Sequence, residues 1–152
     1  MELEYGTATV KELAQMVELL GVLFTDEAEF QPDAGKQKRA LEAILANPTI
    51  GTLFVAREGK RVVAMASLLY TVSTVESGKA AWFEDLVVRP DYRKQGIGAR
   101  LLEYVIEQAR SDGVLRLTLL TDMQNEQAQV LYRRLGFVGS PMKPMRLKIK
   151  KK

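Results

Sequence analysis

Cysteine and histidine are both missing from this sequence of 152 residues. That excludes disulfides, thiol nucleophiles, thiolate or imidazole metal sites, and any Ser-His or Cys-His catalytic pair. Whatever chemistry the chain performs must run on carboxylates, tyrosine, hydroxyls, Lys or Arg, and backbone N–H groups. Long apolar runs are lacking as well: none reaches the ~20 residues of a membrane span, so no membrane partner is expected. The opening "MELEYGTATV" has no basic region followed by an apolar stretch, so it does not read as a signal peptide, and a cytoplasmic location is the expectation. Linkers rich in Gly, Ser or Pro, repeats and low-complexity tracts are absent too. At this length the expectation is one domain over residues 1–152.

Charge is unevenly placed. Lys143, Arg146, Lys148, Lys150, Lys151 and Lys152 hold six of the 22 basic residues, and no acid follows Glu126. The rest of the chain is mildly acidic, with 16 basic residues against 19 acidic ones. The pI of 9.2 therefore reflects a solvated tail, and the reading goes against a nucleic-acid partner.

The elements follow from periodicity. "LEYGTAT" is a short strand, and Thr9 with Glu12 forms a capping box before Leu13, Met16, Val17 and Leu20, which share a helical face. Leu41, Ile44 and Leu45 mark a second helix that stops near Asn47-Pro48, and "FTDEAEFQPDAG" between the two helices reads as an acidic, aromatic loop. "TLFVAR" and "RVVAMASLLYTV" make a hairpin around Glu58-Gly59-Lys60, and "AAWFEDLVV" is the next strand. Ile97, Leu101, Leu102, Val105, Ile106 and Ala109 repeat with helical period up to Ser111-Asp112-Gly113. "VLRLTLLT" reads as a strand, and Ala128, Leu131, Tyr132 and Leu135 as a helix ending at Gly136. Met145, Leu147 and Ile149 alternate with basic residues, as in an antiparallel strand with one face in water. The order β-α-α-β-β-β-α-β-α-β-β predicts an α/β domain with a mixed, mostly antiparallel central sheet flanked by about four helices.

The glycine pair Gly96 and Gly98 stands where a helix should begin. Glycine-rich turns between a strand and a helix cradle phosphates, because free N–H groups and the positive end of the helix dipole converge there. A P-loop needs Lys and Ser/Thr after its last glycine, and Ala99-Arg100 stands here instead. The dinucleotide fingerprint needs a third glycine at Leu101 and a shorter gap from Val88, although Asp122 lies at a suitable distance beyond.

"LVVRPDYRKQGIGARLL" resembles the acetyl-CoA-binding motif [R/Q]-x-x-G-x-[G/A] of the GNAT N-acetyltransferase superfamily, with Arg93, Gly96 and Gly98 in place. "NEQAQVLYRRLGF" resembles that superfamily's later motif N-x-x-A-x-x-L-Y-x-x-x-G-F, through Asn125, Ala128, Leu131, Tyr132, Gly136 and Phe137. The resemblance is specific over residues 80 to 138. It implies a GNAT fold and acetyl-CoA as cosubstrate, with the pyrophosphate on backbone N–H groups of Gln95, Gly96, Ile97, Gly98, Ala99 and Arg100. It also implies positive charge from Arg93, Lys94 and Arg100, the pantetheine arm paired along Leu86, Val87 and Val88, and Asn125 binding that arm.

Acetyl transfer from a thioester to an amine requires a neutral amine, a stabilised oxyanion and a proton for the leaving thiolate. An alkylamine of pKa ~10.4 is about three units too protonated at pH 7, a cost of roughly 4–5 kcal/mol. Glu84 and Asp85 are the carboxylates of the strand before the glycine loop. Strict alternation groups Glu84 with Trp82 and Leu86, and Asp85 with Phe83 and Val87. A similar E-D-[L/I]-x-V run occurs in the diamine acetyltransferases of the superfamily, which implies Glu84 as the base, acting through water, with Asp85 second. The matching tyrosine, Tyr132, is implied as the general acid. No metal is expected.

The acceptor is set by the least specific part of the resemblance. Asp26, Glu27, Glu29 and Asp33 with Phe24 and Phe30 suit a cationic small-molecule amine or a peptide lysine, or form a solvated loop. Rival readings are a non-catalytic acyl-CoA-binding regulatory module and a protein lysine or N-terminal acetyltransferase. The exposed sheet edge leaves room for a homodimer.

Overall fold

The computed structural model describes residues 2–27 and 29–151. Its contacts divide the chain into two compact units, the first ending at Leu120 and the second beginning at Thr121. Each is described by itself.

The first unit runs β1 (Glu4–Thr7), α1 (Leu13–Asp26), α2 (Ala34–Ala46), β2 (Gly51–Glu58), β3 (Arg61–Ser73), β4 (Gly78–Val88), α3 (Ile97–Ser111) and β5 (Leu117–Leu119). One sheet in the order β1-β2-β3-β4-β5 contains all five strands. The first three pairings are antiparallel and β4 with β5 is parallel, so the expected mixed, mostly antiparallel sheet is present.

Local chemistry sets these boundaries. The capping box at Thr9 forms through its acidic half: the Thr9 N–H donates to Glu12 Oε1 at 2.9 Å, within a 3₁₀ turn that leads into α1. Arg57 also donates to the Glu12 carboxylate, at 2.8 Å. Burial alone would raise the Glu12 carboxyl, but the hydrogen bonds from Arg57 and Thr9 outweigh it and hold the group below its usual range. The Asp33 side chain caps α2 by accepting the Lys36 N–H at 3.1 Å. Gly59, at φ 59°, takes the left-handed turn position between β2 and β3.

Two layers of helix cover the sheet. Met16, Leu19 and Leu20 of α1 and Leu41 of α2 form one buried cluster with Leu53, Val55, Val62, Met65 and Val87. The alternate residue Phe54 points the other way and meets the Tyr104 ring of α3, with centroids 6.1 Å apart. Ile97, Leu101, Leu102, Val105 and Ala109 of α3 are buried, as their spacing predicts. No helix among the described residues is long and apolar enough to cross a membrane.

Three expectations change. The acidic loop is shorter than the sequence suggested, because Phe24, Thr25 and Asp26 complete the last turn of α1 and Ala34-Gly35 open α2. The strand expected over "VLRLTLLT" is only Leu117–Leu119. The strand expected around Met145, Leu147 and Ile149 is not formed among the described residues, and these side chains are 92%, 83% and 81% exposed. Alternation supplies a face but not a ladder partner, and a strand needs both.

The second unit contains α4 (Glu126–Arg134). Asn125 is its N-cap, with Oδ1 accepting the Ala128 N–H at 3.1 Å. At the other end Gly136 has φ 104°, its N–H reaches the Arg133 carbonyl, and the Phe137 N–H reaches the Tyr132 carbonyl, both at 3.0 Å. This is a Schellman stop, and the hydrophobic contact that accompanies one is the edge-to-face pair Tyr132–Phe137, 5.8 Å between centroids.

Candidate active site

β4 does not keep its period through the acidic pair. Glu84 faces Ser67 and Val87 faces Met65, so Asp85 and Leu86 together oppose Ala66 in a β-bulge. Asp85 takes φ 59°, a left-handed conformation that Asp accepts better than most residues. The alternation expected from sequence is therefore broken: Glu84 stands opposite Ser67, two residues along β3 from Met65, and thus on the same face as Val87 rather than Leu86. Glu84 is exposed, whereas Asp85 is half-buried. Burial, and then the neighbouring charges of Glu84 and Glu27, pushes the Asp85 carboxyl from 3.8 up to about 6. The sequence reading missed both the bulge and the approach of Glu27. Two adjacent acids inside an apolar strand were the only signal available.

Past the bulge β4 has a free edge. β5 pairs with Ala81, Trp82 and Phe83, and no ladder partner on that side meets residues 84–88 among the described residues. The edge ends in a firmly held turn. Arg89, buried, donates from Nε to the Val62 carbonyl at 2.6 Å and from Nη1 to Glu18 Oε1 at 2.9 Å. Tyr92 is buried in the 3₁₀ turn Pro90–Tyr92, with its hydroxyl on Glu58.

The glycine loop follows at once. Lys94 and Gly96 sit at φ 63° and 77°, so the chain makes two left-handed steps before α3 begins. Among the described residues, no hydrogen bond is donated by the backbone N–H groups of residues 94–99; the Arg100 N–H is used on the Gly96 carbonyl at 3.1 Å. Such a row of N–H groups at a helix start, without a side-chain cap, is a seat for an anion. The two glycines differ in purpose. Gly96 is required by its left-handed conformation, whereas a Cβ on Gly98 would meet only Val88 Cγ2 at an ordinary 3.6 Å. Among the described residues no contact demands a bare Gly98, so the backbone there stays open to close approach. The loop thus fits the pyrophosphate of acetyl-CoA.

The cations around the loop are held unequally. Arg93 donates from Nε to the Val88 carbonyl at 3.2 Å and lies 3.4 Å from the Asp26 carboxylate. Lys94 makes no salt bridge among the described residues. Glu18, Val22, Asp26, Pro32, Pro90 and Arg93 line an open depression of about 530 Å³ beside the loop. Of the acids expected to meet the acceptor, Asp33 is used as a helix cap, Asp26 is paired with Arg93, and Glu27 acts on Asp85. No group of three acidic residues suited to a metal ion occurs among the described residues.

The first unit brings together Glu84, Asp85, Leu86, Val87, Val88 and residues 93–100 as one continuous stretch. Asn125 and Tyr132 belong to the second unit, with Asn125 Oδ1 occupied as a cap and Tyr132 at the Schellman stop.

The chain is similar to known proteins. Residues 13–137 match the family model described as Acetyltransferase (GNAT) family. A thialysine N-ε-acetyltransferase from Bos taurus is 35% identical over 79 residues, 52% of this chain and 46% of that protein, so the chain spans about half of that relative. A glucosamine 6-phosphate N-acetyltransferase from Trypanosoma brucei brucei is 30% identical over 139 residues, 90% of each chain. The solved structure of a "possible acetyltransferase" from Clostridium difficile 630 has the same fold, with a TM-score of 0.88, 18% identity, and coverage of 99% of this chain and 100% of that one. With its glycine loop at the head of α3 and the family match running through both sequence blocks, the chain belongs to the GNAT acetyltransferase family.

Proposed function

We propose that this chain moves an acetyl group from acetyl-CoA to a primary amine, by direct attack within one ternary complex, as a single cytoplasmic N-acetyltransferase domain. The observation that carries the reading is the junction of β4 and α3. Among the described residues, the strand edge over 84–88 has no ladder partner on one side, and one short turn leads from it to the N–H groups of residues 94–99, which donate no hydrogen bond. A ligand with amides at one end and a pyrophosphate at the other matches that sequence of donors and acceptors. When bound, acetyl-CoA supplies an acyl group activated as a thioester. Leu86, Val87 and Val88 orient its arm through their backbone groups, and Gln95 to Ala99 hold its phosphates.

Glu84, exposed at the bulge, takes the proton of the incoming ammonium through water. Asp85 is the second candidate, and a carboxyl near 6 is better matched to that transfer than an ordinary one. Tyr132 provides a proton for the thiolate, and the Asn125 amide, whose oxygen already caps α4, offers its NH₂ to the arm. Glu27, Glu84 and Asp85 make the acceptor side acidic, which favours a cationic amine. Thialysine, named for the bovine relative, is an amine of that kind. The trypanosomal relative is named for an amine that carries a phosphate, and its longer match makes glucosamine 6-phosphate the competing acceptor.

The deciding experiment is a thiol-release assay with acetyl-CoA against lysine, thialysine, diamines, glucosamine 6-phosphate and amine-bearing peptides, alongside calorimetric titration with CoA. A higher kcat/KM for the cationic small molecules is expected. Preference for the sugar phosphate or for peptides would overturn the acceptor class, and CoA binding with no turnover of any amine would leave the binding-module reading.

A further inference from the structure

We propose that Tyr5 and Arg100 are positioning residues for the glycine loop, and that Arg100 acts by bracing the loop rather than by touching phosphate. This rests on the reading of the loop as the CoA pyrophosphate seat. By sequence, Arg100 is one more cation beside an anion site. Its guanidinium is already engaged: Nη2 donates to the Gln95 carbonyl at 3.0 Å and Nε donates to the Tyr5 hydroxyl at 3.1 Å. The remaining nitrogen, Nη1, lies 3.5 Å from the point where a Cβ on Gly96 would stand, so the bare Cα of Gly96 is also the seat of the guanidinium.

Tyr5 is anchored in turn. Its ring lies 6.2 Å from that of Tyr104, and Tyr104 packs edge-to-face on Phe54, which is buried in the sheet. The chain Phe54–Tyr104–Tyr5–Arg100 therefore ends on the carbonyl of the peptide that joins Gln95 to Gly96. Fixing that carbonyl fixes the direction of the Gly96 N–H on the same peptide plane. It also steadies the left-handed step at Gly96, a conformation that glycine adopts without steric cost but does not by itself enforce. A preordered donor row binds its anion without the cost of ordering it first. β1, at the far edge of the sheet from β4, thus contributes to cofactor affinity through one phenol.

The test is Tyr5→Phe, which removes the hydroxyl and keeps the ring on Tyr104. Wild type, Y5F, R100M and the double variant are titrated with CoA by calorimetry, and kcat and KM for acetyl-CoA are measured with the best acceptor from the panel. Y5F is expected to raise the CoA Kd and the acetyl-CoA KM about three- to fivefold, with kcat within a factor of two and an unchanged melting temperature, as fits the loss of one hydrogen bond. Y5F combined with R100M is expected to be no worse than R100M alone, because both act on one brace. Wild-type affinity in Y5F, or tighter binding as a released Arg100 reaches phosphate, would overturn the proposal while leaving the cofactor assignment standing. Failure of the wild-type protein to bind CoA would overturn both.

Discussion

At the junction of β4 and α3, two residues other than glycine sit at positive φ, a carboxyl is half-buried against like charges, and a helix begins with its N–H groups open. In α4 the opposite holds: Asn125 closes the N-terminus, a Schellman turn closes the C-terminus, and none of the helix's described residues is buried. The junction breaks local rules and depends on the five buried side chains of α3 to hold it in place. α4 obeys local rules, with both of its ends closed by caps. The difference teaches what a packed core permits: unsatisfied donors and strained backbone persist where surrounding structure over-determines them.

The largest expected effect breaks this comparison at its support. Leu101→Ala, at a fully buried position, should lower stability by about 2–5 kcal/mol in urea unfolding, while Val130→Ala on the exposed side of α4 stays within about 0.5 kcal/mol. Equal losses would mean that Val130 is held as firmly as the core position.

Next comes the charge at the bulge. The Asp85 carboxyl titrates near 6 in the folded chain against 3.8 ordinarily, so between those values the native state binds the extra proton. Stability therefore falls as pH rises through that window, and above about 6 the whole penalty applies, up to roughly 3 kcal/mol at 1.36 kcal/mol per unit. Asp85→Asn, which also tolerates the left-handed bulge, should be more stable than wild type at pH 8 by up to that amount and no different at about pH 3, below the ordinary value. A difference that does not change with pH would place the strain elsewhere.

The smallest effect concerns the open helix start. Gly98→Ala should add about 0.5–1 kcal/mol of stability, because its Cβ has room beside Val88, and at the same time weaken CoA binding. Unimpaired CoA binding would remove the ligand as the reason for that glycine.

Much of this was legible in the sequence because it was written in local terms. The glycine pair, the helical period of α3, the capping box at Thr9 and the Gly136 stop each depend on a few neighbouring residues, and each is present in the structure. The bulge was not legible. It turns on a left-handed Asp85, and alternation counted through "WFEDLVV" assumes the period that a bulge destroys. Nor was the state of Met145, Leu147 and Ile149, since whether an alternating segment becomes a strand depends on a partner edge that its own sequence does not describe. The brace from Tyr5 to Arg100 spans 95 positions and leaves no pattern at either end.

The edge of β4 over residues 84–88, unpaired among the described residues, has a second face as a hazard. A row of open backbone groups in an apolar strand is the kind of surface on which chains join one another when warmed or concentrated. Whatever fills that edge also removes it from such encounters.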